Sequence, residues 1–347
     1  MRVFRLTACV ASLVVGCAFS GCGGGAAESA GSLVKLQGAG ASFPAPLYSK
    51  WFKEYSGAHQ NVQVDYQSVG SGGGVKSVVD RTVDFGASDA AMTPQDMAKV
   101  DAGVQLFPMT AGSIVLAYNL KDVAQLKLSR QAYSGVFLGK VKRWNDPIIA
   151  MANPGVALPD LPINVVVRAD SSGTSFVFSK HLSAISEEFN TGVGANTMPN
   201  WPAGTKSKGN EGVTAGILTT PGSIGYIEYG YARSQKLPMA VLENKAGKYI
   251  EANTASGQAA LASATVPDDM IVWASDPDTA DAYPIVTYTW LITYKKYSDK
   301  SKAQVVQDLV KYGLTEGQKD AESLGYIPLP ATVVAKATAA IQNIGVQ

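Results

Sequence analysis

Short β-rich runs alternate with helical patterns along the chain from residue 33 onward. Val62, Val64 and Tyr66 alternate with polar residues, which is typical of a strand with one buried face. Before them, five apolar residues fall at the spacing of an amphipathic helix: Leu47, Tyr48, Trp51, Phe52 and Tyr55. This alternation of strands and helices predicts an α/β fold.

The same patterns predict further elements. Strands are expected at 33–37, 85–88, 114–118, 163–168 and 284–294. Helices are expected at 75–81, 129–138, 303–312 and 330–344, and one more begins near Ser172. The glycine-rich stretches 38–42 and 70–74 are predicted to be turns, because glycine interrupts regular elements. A structural turn is also expected at the Gly209-Asn210-Glu211-Gly212 string.

The first 22 residues have the pattern of an export signal. Arg2 and Arg5 precede an uncharged, mostly apolar stretch, 6–20. That stretch is shorter than the roughly 20 residues that a membrane-spanning helix needs. We therefore interpret residues 1–22 as a cleaved leader, which sends the protein across the cytoplasmic membrane.

Two kinds of cleavage fit the end of this leader. Phe19-Ser20-Gly21-Cys22 resembles a bacterial lipoprotein processing site, which would place a lipid on Cys22. Residues 23–32 would then form a flexible tether, since glycine and alanine dominate its start. Ala18-Phe19-Ser20 also fits ordinary cleavage, which would release a soluble protein. All three cysteines lie within the leader, so a mature chain has no internal disulfide.

Charge and length limit the function further. The 347-residue chain has 29 Lys+Arg and 28 Asp+Glu, a formal net charge of +1. Removing the leader takes away two arginines and leaves −1, which argues against a nucleic-acid binder. An anion must therefore be held by local geometry.

The length allows about two domains. Two histidines make a His-built metal site unexpected, and we expect no cofactor.

Three polar loops follow predicted strands and lead into helices. They are Gly40-Ala41-Ser42-Phe43, Gly70-Ser71-Gly72-Gly73-Gly74 and Asp170-Ser171-Ser172-Gly173-Thr174. Ligands of open α/β sheets bind at such strand ends. Helix N-termini offer free N–H groups and partial positive charge there, and Ser or Thr adds a hydroxyl. The three loops together predict a site for a small oxyanion, although each alone also fits an ordinary turn or helix cap.

Two charged residues stand at predicted strand ends. Arg168 precedes Asp170, which fits either a simple ion pair or a guanidinium clamp for an anion that Asp170 orients. Asp89 follows the strand at 85–88 and fits either a turn cap or a ligand for a protonated anion. An ionised carboxylate can only accept a hydrogen bond, so it suits a ligand that still carries a proton.

The sequence gives less support to an enzymatic function. The string from Gly70 to Ser77 nearly matches the nucleotide P-loop, but Val75 replaces its second glycine, so we do not expect ATP binding. A phosphatase-like hydrolase stays as the alternative from another class of protein, without a visible metal cluster, cysteine nucleophile or base-paired serine. Turnover of a chromogenic phosphate ester separates it from a binding protein.

Five ordered strings resemble one family, the periplasmic phosphate-binding proteins (PstS) of phosphate ABC transporters. They are Gly38 to Pro46, Gly70 to Lys76, Val83 to Asp89, Arg168 to Phe176, and Pro221 to Tyr226. The resemblance runs from about Leu36 to Ile344. It implies a two-lobed α/β fold, the type II periplasmic binding protein fold, with a ligand cleft between lobes. Lobe 1 would comprise 33–110 and 285–347, lobe 2 would comprise 111–284, and crossings would fall near Thr110 to Gly112 and near Pro284.

The resemblance also implies a ligand set. Phosphate would be bound by Ser42, Phe43, Ser71, Asp89, Arg168, Ser172, Gly173 and Thr174. Asp170 would hold Arg168, and no metal or catalytic residue is implied. The implied function is reversible, high-affinity phosphate capture in the periplasm or at the cell surface, by a monomer that delivers phosphate to the permease and ATPase subunits of an ABC importer. A receptor for sulfate or molybdate is the alternative within the binding class.

Overall fold

Strands and helices alternate in the computed structural model, which describes residues 32–262 and 266–346. The leader 1–22 with Cys22, and residues 23–31 of the tether, lie outside the described residues. The strands are β1 (Val34–Gly40), β2 (Val62–Ser68), β3 (Phe85–Ser88), β4 (Val104–Tyr118), β5 (Lys127–Leu128), β6 (Asn164–Arg168), β7 (Thr205–Ser207), β8 (Ser223–Glu228), β9 (Val241–Glu243), β10 (Tyr249–Ile250), β11 (Ala274–Ser275), β12 (Ile285–Tyr294), β13 (Lys296–Tyr297) and β14 (Gly345–Val346).

The helices surround the strands in the same part of the chain. They are α1 (Ala45–Ala58), α2 (Ser71–Val79), α3 (Pro94–Met97), α4 (Arg130–Phe137), α5 (Pro147–Ala150), α6 (Gly173–Ile185), α7 (Glu187–Gly192), α8 (Gly209–Thr219), α9 (Tyr229–Ser234), α10 (Thr254–Leu261), α11 (Lys300–Leu314), α12 (Gln318–Ala321) and α13 (Ala331–Ala340), with 3-10 turns at Glu322–Leu324 and Ile341–Asn343.

Nine strands form the main sheet. Eight of them are neighbours in the order β2-β1-β3-β12-β4-β8-β6-β7, and β11 pairs with β12. β1 runs parallel to β2 and β3, and β6 runs parallel to β7 and β8. β12 is antiparallel to β3 and β4, and β4 is antiparallel to β8. The sheet therefore contains two groups of parallel strands, here called the first group (β1, β2, β3) and the second group (β6, β7, β8).

Strand β4 links the two groups by changing its partner. Val104 to Ser113 pairs with β12, whereas Ile114 to Tyr118 pairs with β8. Every residue of β4 and of β12 is buried, including polar residues such as Gln105, Thr110 and Thr289. The strand predicted at 114–118 is thus the second part of a longer one. The lobe boundaries stay a prediction.

The glycine-rich stretch 70–74 differs from its prediction as a turn. Helix α2 begins at Ser71, inside that stretch. A Cβ added at Gly74 would lie 2.6 Å from the Cα atom of Gly40 and 2.7 Å from the carbonyl oxygen of Ala87. These glycines therefore let the helix lie directly against β1 and β3.

Other predicted elements are confirmed, with shifts at their ends. The strand at 85–88 is β3 as predicted, and the helix at 129–138 is α4. α11 begins earlier than the predicted residue 303, because the Asp299 side chain accepts hydrogen bonds from the first free N–H groups of the helix. The helix predicted at 330–344 ends at Ala340, and a 3-10 turn follows.

Candidate functional site

The predicted site residues lie at the carboxyl ends of strands in both groups. Ser42 follows β1, Ser71 follows β2 and Asp89 follows β3. In the second group, Arg168 ends β6 and Thr174 lies in the first turn of α6. The side chains named here are 5% exposed or less, and all belong to connected clusters of hydrogen bonds. The structure therefore brings together loops that are distant in sequence, as expected for strand ends of an α/β sheet.

Arg168 and Asp170 form a bidentate ion pair at the end of β6. Nε of Arg168 donates to Oδ1 of Asp170 at 2.9 Å, and Nη2 donates to Oδ2 at 2.5 Å. Burial opposes ionisation of Asp170, but the Arg168 guanidinium outweighs it and lowers the pKa of that carboxyl. Nη1 of Arg168 lies 3.4 Å from Oγ1 of Thr174. The ion pair therefore fixes the guanidinium so that one edge faces the cluster.

Asp89 has a different environment and is more deeply buried than Asp170. Its Oδ1 accepts a hydrogen bond from Thr289 at 2.9 Å, and its Oδ2 accepts one from Thr174 at 3.3 Å. Burial raises the pKa of Asp89 to about 7, against the opposing effects of the Thr289 hydroxyl and the Arg168 charge. The next helix, α3, is capped by Thr93 and not by Asp89. The side chain thus points into the cluster, and the turn-cap alternative does not hold.

Ser71 joins loops from both groups. Its Oγ accepts the backbone N–H of Gly173 at 3.0 Å and that of Asp89 at 3.2 Å. A Cβ added at Gly173 would lie 2.6 Å from this oxygen, so glycine is what permits the contact. A serine hydroxyl has two acceptor positions and one hydrogen. Since two N–H groups occupy the acceptor positions, the Ser71 hydrogen is left to donate.

The Ser42-Phe43 loop is held from several sides. Oγ of Ser42 accepts from N and Nδ2 of Asn210, at 3.0 and 2.9 Å. The Tyr231 hydroxyl donates to the carbonyl of Ser42 at 2.6 Å, and the Tyr326 hydroxyl donates to that of Phe43 at 2.7 Å. These bonds fix the main chain where an anion would meet the Phe43 amide.

Ser172 has a structural contact of its own. Its Oγ accepts from the backbone N–H of Ser175 at 3.1 Å, so the residue is the N-cap of α6. The helix start that it fixes carries the amides of Gly173 and Thr174. Ser172 thus lies within the cluster, while its oxygen stabilises the helix that presents these amides.

Three buried residues of the cluster were not predicted as site residues: Asn210, Glu228 and Thr289. The predicted turn at Gly209 to Gly212 is wrong, because α8 begins at Gly209, which has φ +69°. The preceding strand β7 is short and largely polar, so its pattern gave no strand signal. Glu228 is fully buried, and burial raises its pKa well above the ordinary value. Its position at the end of the apolar strand β8 was the available signal.

The cluster can bind a small oxyanion that carries a proton. It offers hydroxyl, amide and guanidinium hydrogens, together with the Asp89 carboxyl, which accepts hydrogen bonds from two threonine hydroxyls. Through residues 32–262 and 266–346, no group of three or more His, Cys, Asp or Glu side chains gathers to hold a metal ion. No helix in that part of the chain is long and apolar enough to cross a membrane.

Comparisons with known proteins agree with this geometry. The family model described as PBP superfamily domain matches residues 25–316. A phosphate-binding protein PstS of Xylella fastidiosa is 38% identical over 305 residues, covering 87% of this chain and 83% of that protein. One from Pasteurella multocida is 39% identical over 307 residues, covering 87% and 88%.

A solved structure gives the same fold at lower sequence identity. It is a high-affinity periplasmic phosphate-binding protein, PfluDING, bound with phosphate at pH 8.5. It is 22% identical, with a TM-score of 0.72, and the match covers 88% of this chain and 94% of that one. The predicted two-lobed α/β fold of the type II periplasmic binding proteins is confirmed.

Proposed function

The chain belongs to the PBP superfamily and, within it, to the phosphate-binding protein PstS family, and from that premise we propose that it binds inorganic phosphate and delivers it to an ABC-type importer. The observation that carries the proposal is the meeting of Ser42, Ser71, Asp89, Arg168 and Thr174 in one buried cluster. Hydrogen-bond donors surround the Asp89 carboxyl there, which suits a partly protonated tetrahedral anion.

The donors would divide the phosphate oxygens among them. The Arg168 guanidinium, which Asp170 orients, supplies the fixed positive charge. Hydroxyl hydrogens would come from Ser42, Ser71 and Ser172, and amide hydrogens from Phe43 and Thr174. The Gly173 amide and the Thr174 hydroxyl would act through Ser71 and Asp89, to which they donate. Because Asp170 neutralises Arg168, binding depends on directed hydrogen bonds more than on net charge.

Asp89 would distinguish phosphate from other tetrahedral anions. Phosphate near neutral pH keeps at least one proton, whereas sulfate keeps none. An Asp89 carboxylate accepts the phosphate proton and repels an anion without one, so selectivity arises from repulsion as well as attraction. This carboxyl argues against the sulfate or molybdate alternative, and the names of the relatives favour phosphate.

Residues from both strand groups would surround the ligand. Ser71 in the first group contacts Gly173 in the second, and Asp89 contacts Thr174 across the same boundary. Closure of the two lobes about a hinge assembles these contacts, a motion typical of periplasmic binding proteins. The event is reversible capture without catalysis, and a chromogenic phosphate ester should remain unhydrolysed.

An export leader at residues 1–22 would place this activity in the periplasm or at the cell surface. There the monomer with bound phosphate would dock on the permease, and the ATPase subunits would power import. If Cys22 carries a lipid, Cys22→Ala should move the protein from the membrane fraction to the soluble fraction without loss of phosphate binding. A wild-type protein that is wholly soluble with a cleaved leader would instead support ordinary cleavage.

Calorimetric titration with phosphate tests the proposed function. Protein stripped of bound ligand by unfolding and refolding should bind one phosphate per chain. At a phosphate concentration one hundred times the dissociation constant, the free energy of unfolding should rise by about 2.7 kcal/mol, seen as a higher melting temperature. No heat of binding and no change in melting temperature at millimolar phosphate would contradict the proposal.

A further inference from the structure

Asn210 is a fully buried amide that contacts both strand groups. Its Oδ1 accepts the backbone N–H of Glu228 at 3.0 Å. Its Nδ2 donates to Oγ of Ser42 at 2.9 Å and to Oγ1 of Thr174 at 3.4 Å. Its backbone N–H donates to the same Ser42 oxygen at 3.0 Å. One residue of the second group therefore reaches two hydroxyls among the proposed phosphate ligands.

The amide has only one orientation that satisfies these partners. The Glu228 N–H can only donate, so the oxygen of the Asn210 amide must face it. The NH₂ end then faces Ser42 and Thr174. The main chain of Asn210 is fixed as well, because the Thr214 hydroxyl donates to its carbonyl at 2.7 Å in the first turns of α8. The direction of the two N–H bonds is thus built into the fold.

This orientation determines what the Ser42 hydroxyl can do. Its oxygen has two acceptor positions, and Asn210 occupies both. The Ser42 hydroxyl can then accept no further hydrogen bond and can only donate its hydrogen. We propose that Asn210 is a positioning residue that fixes the Ser42 hydroxyl as a hydrogen-bond donor toward the oxyanion, an inference that rests on the proposed function.

The Ser71 hydroxyl is also limited to donating, but backbone N–H groups impose this limit instead of a side chain. Its acceptor positions are occupied by the backbone N–H groups of Asp89 and Gly173, which no side-chain substitution removes. At Ser42, one of the two N–H donors belongs to a side chain and can be deleted. The two serines therefore form a matched pair for experiment: Asn210 contacts Ser42 and makes no hydrogen bond to Ser71 among the described residues.

A double-mutant cycle tests the inference. Phosphate affinity is measured by calorimetry for the wild type, Asn210→Ala, Ser42→Ala and the double variant. Each single variant should bind about ten- to a hundredfold more weakly. If Asn210 acts through the Ser42 hydroxyl, its substitution should cost less than threefold once Ser42 is alanine. In the parallel cycle with Ser71→Ala, the two losses should multiply.

Asn210→Asp provides a second variant of nearly the same shape. It keeps an oxygen for the Glu228 N–H but replaces the NH₂ donor by an acceptor, so the Ser42 hydroxyl turns toward the new carboxylate. Phosphate affinity should fall at least as far as in Asn210→Ala. Retained phosphate affinity in Asn210→Asp would overturn the inference. This variant also provides the test if Asn210→Ala fails to fold.

Asn244→Ala is the control for a merely structural effect. Asn244 is also buried, and its side chain makes four hydrogen bonds far along the chain from the cluster. Its substitution should lower the melting temperature and leave phosphate affinity within twofold. If the losses of phosphate affinity multiply in the Ser42 cycle, the proposed role of Asn210 is overturned, while the proposed function still stands. A wild-type protein that does not bind phosphate would overturn the proposed function, and the inference with it.

Discussion

Two carboxyl groups of the site, Asp170 and Asp89, lie in opposite electrostatic environments. Asp170 makes a bidentate contact with Arg168, and the guanidinium lowers its pKa. Asp89 is held by two threonine hydroxyls, and burial raises its pKa to about 7. The first carboxyl is therefore ionised at neutral pH, while the raised pKa of the second lies close to neutral.

The difference between the two carboxyl groups separates binding of an anion from discrimination between anions. The Arg168-Asp170 pair is neutral as a whole, so it contributes a fixed geometry of donors that suits phosphate and sulfate equally well. In the proposed site, Asp89 would distinguish between them, because its ionised form needs a proton from the ligand. A phosphate ligand and Asp89 can share one proton, and sulfate near neutral pH has none to share.

Substituting Arg168 by alanine should have the largest effect, because it removes the only positively charged group among the proposed phosphate ligands. The variant loses the guanidinium and leaves the partly buried Asp170 without its charged partner. We expect phosphate binding to weaken by about 2 to 5 kcal/mol, the range for truncating one member of a buried charged pair. Calorimetry at constant ionic strength measures the loss. An affinity within twofold of the wild type would place Arg168 outside the site.

Asp89→Asn should stabilise the protein without ligand above neutral pH. The folded wild type keeps the proton on Asp89 up to about pH 7, whereas the unfolded chain releases it near its ordinary pKa of about 4. Wild-type stability therefore falls as the pH rises from about 4 to 7, and asparagine escapes this cost.

The expected gain of Asp89→Asn is about 2 kcal/mol at pH 8. It combines a cost of about 4 kcal/mol for three pKa units with the loss of about 1 kcal/mol in each threonine hydrogen bond. Urea unfolding at pH 5 and pH 8 gives the comparison. A difference between variant and wild type that stays constant over this range would contradict the raised pKa.

Thr289→Val should have a smaller effect, and in the opposite direction, because it raises the pKa of Asp89 further. It removes the hydroxyl that donates to Oδ1 at 2.9 Å, and that hydroxyl favours the ionised carboxyl. The folded-state pKa of Asp89 should rise by about one unit, so the fall in stability that begins near pH 4 should continue about one pH unit further and become larger. Thr293→Val is the matched control, because Thr293 is buried on the same strand and its hydroxyl lies 3.4 Å from a backbone carbonyl instead.

Much of the fold could be predicted because its signals are local. The helical spacing from Leu47 to Tyr55 and the apolar strand at 85–88 each gave an element of the correct type. The glycine-rich helix α2 could not be predicted in this way, because its glycines reflect contact with Gly40 and Ala87 across the sheet. Only tertiary packing makes a helix the favourable state there.

The site shows the same limit. Ser42, Asp89 and Arg168 stand directly after β-rich runs, so their meeting follows from the rule that ligands bind at strand ends. Asn210 follows a three-residue strand with a polar pattern, and Thr289 lies in the middle of the apolar strand β12. Nothing local marks either residue. Their roles depend on which strands are neighbours, and that follows from the order of the whole sheet.

The ratio of phosphate affinity to sulfate affinity, compared between wild type and Asp89→Asn, tests the central claim most directly. Both proteins are titrated with both anions by calorimetry at pH 7.5 and matched ionic strength. The variant lacks the charge that repels sulfate and can offer it an N–H donor, so sulfate binding should strengthen relative to phosphate and the ratio should fall by tenfold or more. Phosphate affinity itself should change less than the ratio. An unchanged ratio would mean that Asp89 does not read the ligand proton and that the discrimination arises elsewhere.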